Sequence, residues 1–471
     1  MTTARGNALF LILILGIGGS FQSGYHITSL SSPSPFIQHF INSTWYERYA
    51  APPPRHTVTI IWSLIVSMYA VGGLFGAVSV KCFLSLFIAI AAATIMLTSK
   101  WAKSYEMIIV ARVLFGYSAA LGMSTHLMYL SEMSPRKLRG TVTMSSATFA
   151  SIGKLSAQFF GLSEILGRQE LWNVVLCAPA CLSVVQVMVL PYLPEAPRYL
   201  FIEKRDDKAC QKALQSLWGQ GDFKQEMEEM LTEQATMEAA PTKSPLLLLR
   251  DQTVRWQLIT MSTIYCCNQL SGITFAFDIF QRAGIPADRI RYITIGLGIS
   301  EIITSISCGL LIERAGRRPL FWAGYGVMSA CWLSVTVVLN LKGSVSWAPY
   351  LTAVLIILFI VFFCGGPAGT LNSEIFIQSN RVSAFVLFGV QRWFVLAVLG
   401  LAFPILIDAL DSYCFVIFAC MSLLGCVYVF FFLPETKGKT LLEISDQFKF
   451  ETLLVTQLQD IHWTKNILHA L

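Results

Sequence analysis

Glu132-Met133-Ser134-Pro135-Arg136-Lys137-Leu138-Arg139 returns in outline as Glu374-Ile375-Phe376-Ile377-Gln378-Ser379-Asn380-Arg381. Each stretch follows a long apolar run, opens on a glutamate and closes on an arginine seven positions later. The second copy lies 242 positions after the first (374 less 132). A further pair keeps almost the same period: Pro194-Glu195-Ala196-Pro197-Arg198 and Pro434-Glu435-Thr436-Lys437-Gly438 are 240 apart. A chain of 471 residues that repeats its landmarks at about half its length reads as a parallel duplication. Two copies of six spans each, with a ligand site between them near the bilayer midplane, is a known transporter layout.

What fills the intervals is apolar. The chain is 55% hydrophobic and only 13% charged, against about a quarter charged in a soluble domain, and its mean hydropathy is +0.60. A span needs roughly 20 mostly apolar residues. Such runs fall at Asn7–Thr28, Thr57–Ser79, Cys82–Thr98, Met107–Leu130, Val142–Leu166 and Leu171–Leu193 in the first half. In the second half they fall at Gln257–Phe280, Ile290–Ile312, Leu320–Leu341, Trp347–Leu371, Val382–Ile407 and Tyr413–Leu433. The expected fold is an all-α membrane protein of about twelve transmembrane helices in two six-helix halves. The expected boundaries are 1–197 for the first half, 198–255 for a polar helical linker, 256–435 for the second half and 436–471 for a tail. The linker assignment rests on charge density, with Glu226, Glu228, Glu229 and Glu233 on an amphipathic pattern too polar to span.

Arg136, Lys137 and Arg139 in one short loop, and Arg314, Arg317 and Arg318 in another, place both loops in the cytoplasm by positive-inside bias. Asn42-Ser43-Thr44 is a glycosylation sequon in the first loop, which is then outside, and both termini fall inside. No cleavable leader is read at the N-terminus; the run from Ala8 is taken as the first span. The net charge of +6 fits loop bias better than nucleic-acid binding. Most of the twelve cysteines, including Cys177, Cys181, Cys308, Cys331 and Cys420, lie within apolar runs and read as small buried hydrophobes. The spacing of Cys and His suggests no metal site, and the motifs suggest neither an enzyme nor a cofactor.

The landmark motifs also carry a resemblance. Pro194-Glu195-Ala196-Pro197-Arg198, Asn268-Gln269-Leu270-Ser271-Gly272, Glu313-Arg314-Ala315-Gly316-Arg317-Arg318 and Pro434-Glu435-Thr436-Lys437-Gly438-Lys439-Thr440 resemble the facilitative glucose (hexose) transporter family of the major facilitator superfamily. The likeness runs from about Gly16 to Ile444. Gly18-Gly19-Ser20-Phe21-Gln22-Ser23-Gly24-Tyr25 and Trp62-Ser63-Leu64-Ile65-Val66-Ser67 resemble its class II branch, associated with fructose and glucose. The resemblance implies a plasma-membrane hexose carrier working by alternating access on a small neutral sugar, in a lipid bilayer, and leaves its oligomeric state open.

A neutral polyol offers only hydroxyls, and an amide can donate and accept at once. Gln158, Asn268 and Gln269 match the family's sugar-binding amides, with Thr274, Glu301 and Arg392 as further lining residues. The same amides can instead pack helices. Glu132, Arg139, Glu313, Arg317, Glu374 and Arg381 are expected at cytoplasmic helix ends, where bidentate carboxylate–guanidinium pairs would hold a gate shut. Proton-coupled members of the family carry an Asp in the first span; Gly16-Ile17-Gly18-Gly19-Ser20 has no acid, which favours uniport.

Lys154, Asp278, Glu301 and Arg392 are charges inside predicted spans. Buried membrane charge is expensive and usually paired, so a cross-helix pair is expected, Arg392 with Glu301 or Lys154 with Asp278. The family's basic loop between the second and third spans is missing, leaving Lys81 as the only charge from Thr57 to Leu97. A turn at Ser79–Cys82 and one short helix in that pair are therefore expected. Gly366-Pro367-Ala368-Gly369 also reaches Glu374 sooner than the family pattern. These departures keep two alternatives open: a transport-impaired variant or sensor of the same fold, and a carrier of another small solute such as urate.

Overall fold

Within a bilayer every backbone polar group must be satisfied inside the protein, which leaves long apolar segments little choice but the helix. The computed structural model describes residues 11–79, 82–133, 139–192, 195–202, 204–218, 223–239, 244–271, 276–341, 345, 347–364, 368–376, 378–437, 439, 443–444 and 446–448. Among the described residues all regular structure is helical.

Helix α1 covers 11–28, with a π-helical stretch at Ile17–Phe21. It is followed by α2 (Ser34–Tyr49), α3 (Arg55–Val78), α4 (Cys82–Ser99), α5 (Tyr105–Met133), α6 (Arg139–Phe160) and α7 (Trp172–Val189). Short polar helices α8 (Pro197–Ile202), α9 (Asp207–Trp218), α10 (Lys224–Ala239) and α11 (Pro245–Arg250) come next. The second series is α12 (Arg255–Leu270), α13 (Ala276–Arg282), α14 (Ala287–Ala315), α15 (Arg317–Asn340), α16 (Ala348–Cys364), α17 (Ala368–Ile375), α18 (Gln378–Leu410) and α19 (Cys414–Phe432).

Among the described residues, by length and composition alone, seven helices can cross a membrane, at His56–Val78, Tyr105–Leu130, Trp172–Val189, Arg289–Ile312, Arg317–Asn340, Asn380–Phe403 and Ile405–Phe432. The other expected spans differ for identifiable reasons. α4 is 18 residues against 24 for α3, the shortness expected from the missing loop, and α3 ends at Val78 as the predicted turn requires; Lys81 lies outside the described residues. α6 dilutes its apolar face with Ser151, Lys154, Ser156 and Gln158, and ends at Phe160, short of the expected Leu166. The seventh expected span is described as α12, which ends at Leu270 with Ser271 in a turn, and α13; the tenth is described as α16 and α17, with residues 365–367 outside the described ones.

Packing is closest where side chains are smallest, the usual rule between membrane helices. Gly72 of α3 rests on the Val113 carbonyl of α5, and Gly116 of α5 rests on the Tyr69 carbonyl of α3; neither position has room for a methyl group. One apolar cluster gathers Ile65, Tyr69, Phe115 and Trp172 of the first series and includes Trp393 and Ala397 of α18. The larger cluster belongs to the second series, centred on Tyr325, Trp332, Phe359, Phe388 and Phe415, and takes in Ile444 and Phe448 from the tail. The polar helices hold a small core of their own, with Leu200, Phe201, Cys210, Leu214 and Met230. Leu217 of α9 packs with Leu11, Leu15, Leu130 and Met133 at the ends of α1 and α5.

One expectation needs correction. Cys177, Cys308 and Cys331 are buried, but Cys181 and Cys420 are exposed. The sequon asparagine Asn42 is exposed on α2, the helix that fills the connection between α1 and α3.

Candidate functional site

The two copies of the duplication touch along two flanks. On one, α3 lies against α18: Gly73 and Tyr69 meet the Trp393 ring, and Ala77 meets Gly389. On the other, α6 lies against α14 through polar groups. Thr148 and Ser305 hydroxyls are 3.1 Å apart, Ser151 donates to Glu301 Oε1 at 3.2 Å, and Lys154 Nζ reaches the same oxygen at 2.5 Å. At the near end Tyr292 Oη donates to Glu164 at 3.3 Å.

Gln158 stands four residues beyond Lys154, on the same helical face. Its Oε1 is buried and, among the described residues, has no hydrogen-bond partner. It packs on Gly298, where an added Cβ would come within 2.7 Å of that oxygen. Leaving a buried amide oxygen unpaired costs about 1–3 kcal/mol, so this atom is prepared for a donor. Asn268 and Gln269 are half-buried in the last turn of α12, whose end is closed by Ser271 Oγ donating to the Asn268 carbonyl at 2.6 Å. Thr274 lies outside the described residues.

One expected charge pair, Arg392 with Glu301, is corrected by the geometry; the other, Lys154 with Asp278, falls outside the described side chains. Lys154 pairs with Glu301, because α6 faces α14 across the flank. Arg392 does not pair with Glu301: it is half-buried on α18 and its Nη1 lies 3.8 Å from Met123 Sδ of α5. The side chain of Asp278 is outside the described residues.

Three residues escaped the sequence reading. Arg112 of α5 is a further charge within a span. It is buried, donates to the Ile65 and His26 carbonyls at 3.2 Å each, and lies 4.5 Å from the centre of the Tyr69 ring. Backbone oxygens and a ring face satisfy it, and neither leaves a complementary charge in the sequence. Gln391 clasps α12, with Nε2 donating to the Ser262 carbonyl at 2.8 Å and Oε1 accepting from Ser262 Oγ at 3.0 Å. His126 bonds Ser20 on the π-helical stretch of α1, Nδ1 to Oγ 2.7 Å; its only sequence signal was a lone imidazole in an apolar run.

At the start of α15 two of the expected gate residues, Arg317 and Glu374, form a lattice with Thr436 and Glu435 within the second half. Arg317 grips Glu374 with Nη2 at 2.7 Å and Nε at 3.1 Å from Oε1. Thr436 Oγ1 donates to the other Glu374 oxygen at 2.7 Å. Glu435 accepts from the Arg317 and Arg318 backbone N–H groups at 2.9 and 3.1 Å, capping the N-terminus of α15 from a distant segment. Gly316, with φ of 84°, makes the turn that lets it approach. Burial alone would push the Glu435 carboxyl up, but these amides, with those of Lys437 and Thr436, hold it below the usual glutamate range. Glu374 is thus bonded to Arg317 and not to Arg381, whose Nη2 is 3.5 Å from the Phe376 carbonyl. The side chains of Glu132, Arg139 and Glu313 lie outside the described ones.

A family model described as "Sugar (and other) transporter" matches residues 11–448. The chain is 40% identical over 454 residues to the Mus musculus protein "Solute carrier family 2, facilitated glucose transporter member 9", covering 93% of this chain and 84% of the relative. It is 38% identical to facilitated glucose transporter member 11 of Homo sapiens, with 94% and 93% covered. To member 5 of Equus caballus it is 35% identical, with 96% and 93% covered. Among solved structures, a proton:xylose symporter of the major facilitator superfamily bound to 6-bromo-6-deoxy-D-glucose superposes with a TM-score of 0.78 at 18% identity, over 94% of this chain and all of the other. That likeness establishes the major-facilitator fold.

Proposed function

Because the chain belongs to the sugar transporter family, we propose that it is a hexose uniporter, for fructose, glucose or both, working by alternating access. The observation that carries this reading is the buried, unpartnered Oε1 of Gln158 between the two copies. A sugar hydroxyl supplies the donor it lacks, while the amide nitrogen can donate back. Asn268 and Gln269, where α12 stops, offer the same chemistry from the opposite copy; helix ends at membrane depth are tolerated where they line a cavity. The halves 1–197 and 256–435 rock about this site, with Thr274, Glu301 and Arg392 in its lining and the linker 198–255 and tail 436–471 in the cytoplasm. The lattice of Arg317, Glu374, Thr436 and Glu435 keeps the second half rigid on the linker side, and Glu132, Arg139, Glu313 and Arg381 complete that gate. In this arrangement the protein is a multi-pass plasma-membrane protein, with both termini inside and Asn42 outside bearing a glycan.

A second reading has one observation in its favour. Among the described residues Arg392 has no ion-pair partner, and a solute with delocalised negative charge, such as urate, would neutralise it. Lys154 no longer argues for an anion, since Glu301 already balances it. Uptake of labelled fructose, glucose and urate into proteoliposomes decides between them. Saturable hexose uptake is expected; urate uptake without hexose uptake would replace the first reading with the second, and hexose binding without uptake of either would make the protein a sensor.

A further inference from the structure

Among the described residues, the contact between α6 and α14 holds one full ion pair between the two copies. Lys154 Nζ and Glu301 Oε1 are 2.5 Å apart, with side-chain exposures of 19% and 9%. The same Glu301 oxygen accepts from Ser151, so one carboxylate oxygen receives two donors from the facing helix. Ser151, Lys154 and Gln158 are spaced three and four apart and share one face of α6. Gly298 lies three residues before Glu301 and shares the facing surface of α14. The absent side chain at Gly298 is what admits the Gln158 amide. The ion pair and the Gln158–Gly298 contact therefore fix the same register. A slip of one residue, about 1.5 Å along the axis, would part both.

We propose that Lys154 and Glu301 form a latch between the two halves that positions Gln158 against Gly298 and opens when this flank separates. The opening clause rests on the transport reading; the latch and the positioning do not. The opposite flank closes through Tyr69, Gly73 and Ala77 against Trp393 and Gly389, with no ion pair among the described residues. The two flanks thus differ in how they release: one slides on apolar contact, and the other must part opposite charges in a low-dielectric setting. Removing one partner of such a pair strands a buried charge, whereas removing both does not. The single variants are therefore expected to be worse than the double.

The test uses the purified full-length protein in nanodiscs, with spin labels on bioorthogonal handles at Gln169 and Arg289, exposed positions near the Glu164–Tyr292 end of this flank. Wild type is expected to give one short, narrow distance. Lys154→Met with Glu301→Gln together is expected to add a longer population, and the exchange Lys154→Glu with Glu301→Lys to restore the short one. Thermal unfolding should show each single variant less stable than the double, and the double should raise the hexose KM several-fold by releasing Gln158. Identical distance distributions in wild type and the double variant, or additive losses of stability, would overturn the latch. If the exchanged variant fails to elute as a monodisperse species, the double variant alone decides. The distance readout needs no substrate, so a wild type that carries no hexose would sink the transport reading without touching the latch.

Discussion

Where α3 meets α18 the contact is made by Gly73 and Tyr69 on the Trp393 ring; where α6 meets α14 it is made by Thr148, Ser151 and Lys154 on Ser305 and Glu301. Water supplies no hydrophobic drive between helices in lipid, so the first contact is held by packing and the second by hydrogen bonds and charge. Packing of a ring into a glycine groove tolerates sliding but not loss of the ring. A polar seam tolerates loss of single hydroxyls but not a change in charge balance. Gln158, the proposed ligand, stands in the polar seam, and Arg392, without an ion-pair partner among the described residues, stands beside the apolar one.

The largest expected effect attacks the apolar flank. Trp393→Ala empties the groove over Gly73 and should cost about 3–5 kcal/mol, the range for large aromatic truncations in a packed interior. Thermal unfolding of the purified variant should show a large drop, and surface expression should fall with it. A variant as stable as wild type would mean that the flank is not held by this ring.

On the polar flank, Gln158→Ala should separate stability from function. Its Oε1 has no hydrogen-bond partner among the described residues, so unfolding should be little changed or improved. Hexose affinity should fall roughly 5- to 150-fold, the equivalent of about 1–3 kcal/mol for a lost buried hydrogen bond. Equal sugar affinity in wild type and variant would remove Gln158 from the site; Gln269→Ala tests the opposite copy in the same way.

The smallest effect lies away from both flanks, at the cap on α15. The Glu435 carboxyl is held below its ordinary value in the folded protein. Its contribution is therefore present above the unfolded-state value, about 4.3, and is lost as pH falls through the lower folded value. Glu435→Gln should cost about 0.5–2 kcal/mol at neutral pH, the scale of a helix cap, and the gap from wild type should close in acid. A gap that stays constant with pH would show that the charge contributes nothing.

The sequence made the duplicated helix ends legible because charge is conspicuous at the close of an apolar run. Glu374 of the repeat meets Arg317, which lies outside it, while Glu435, a member of the other repeated motif, caps α15. It could not show that α12 stops at Leu270, since the apolar run continues past that point. Nor could it pair the buried charges. Choosing a partner for Glu301 between Lys154 and Arg392 requires knowing that α6, and not α18, lies across from α14. Arg112 stayed hidden for a different reason: its partners are main-chain carbonyls, which every residue possesses.

Uniport is the claim on which the transport account turns, because the first span carries no acid and the acids in the second series include Glu301, already bound to Lys154. The direct measurement is hexose uptake into proteoliposomes with and without an imposed inward proton gradient. The account predicts that internal sugar rises to the external concentration and stops there in both cases. Accumulation above the external level when the gradient is applied would contradict it.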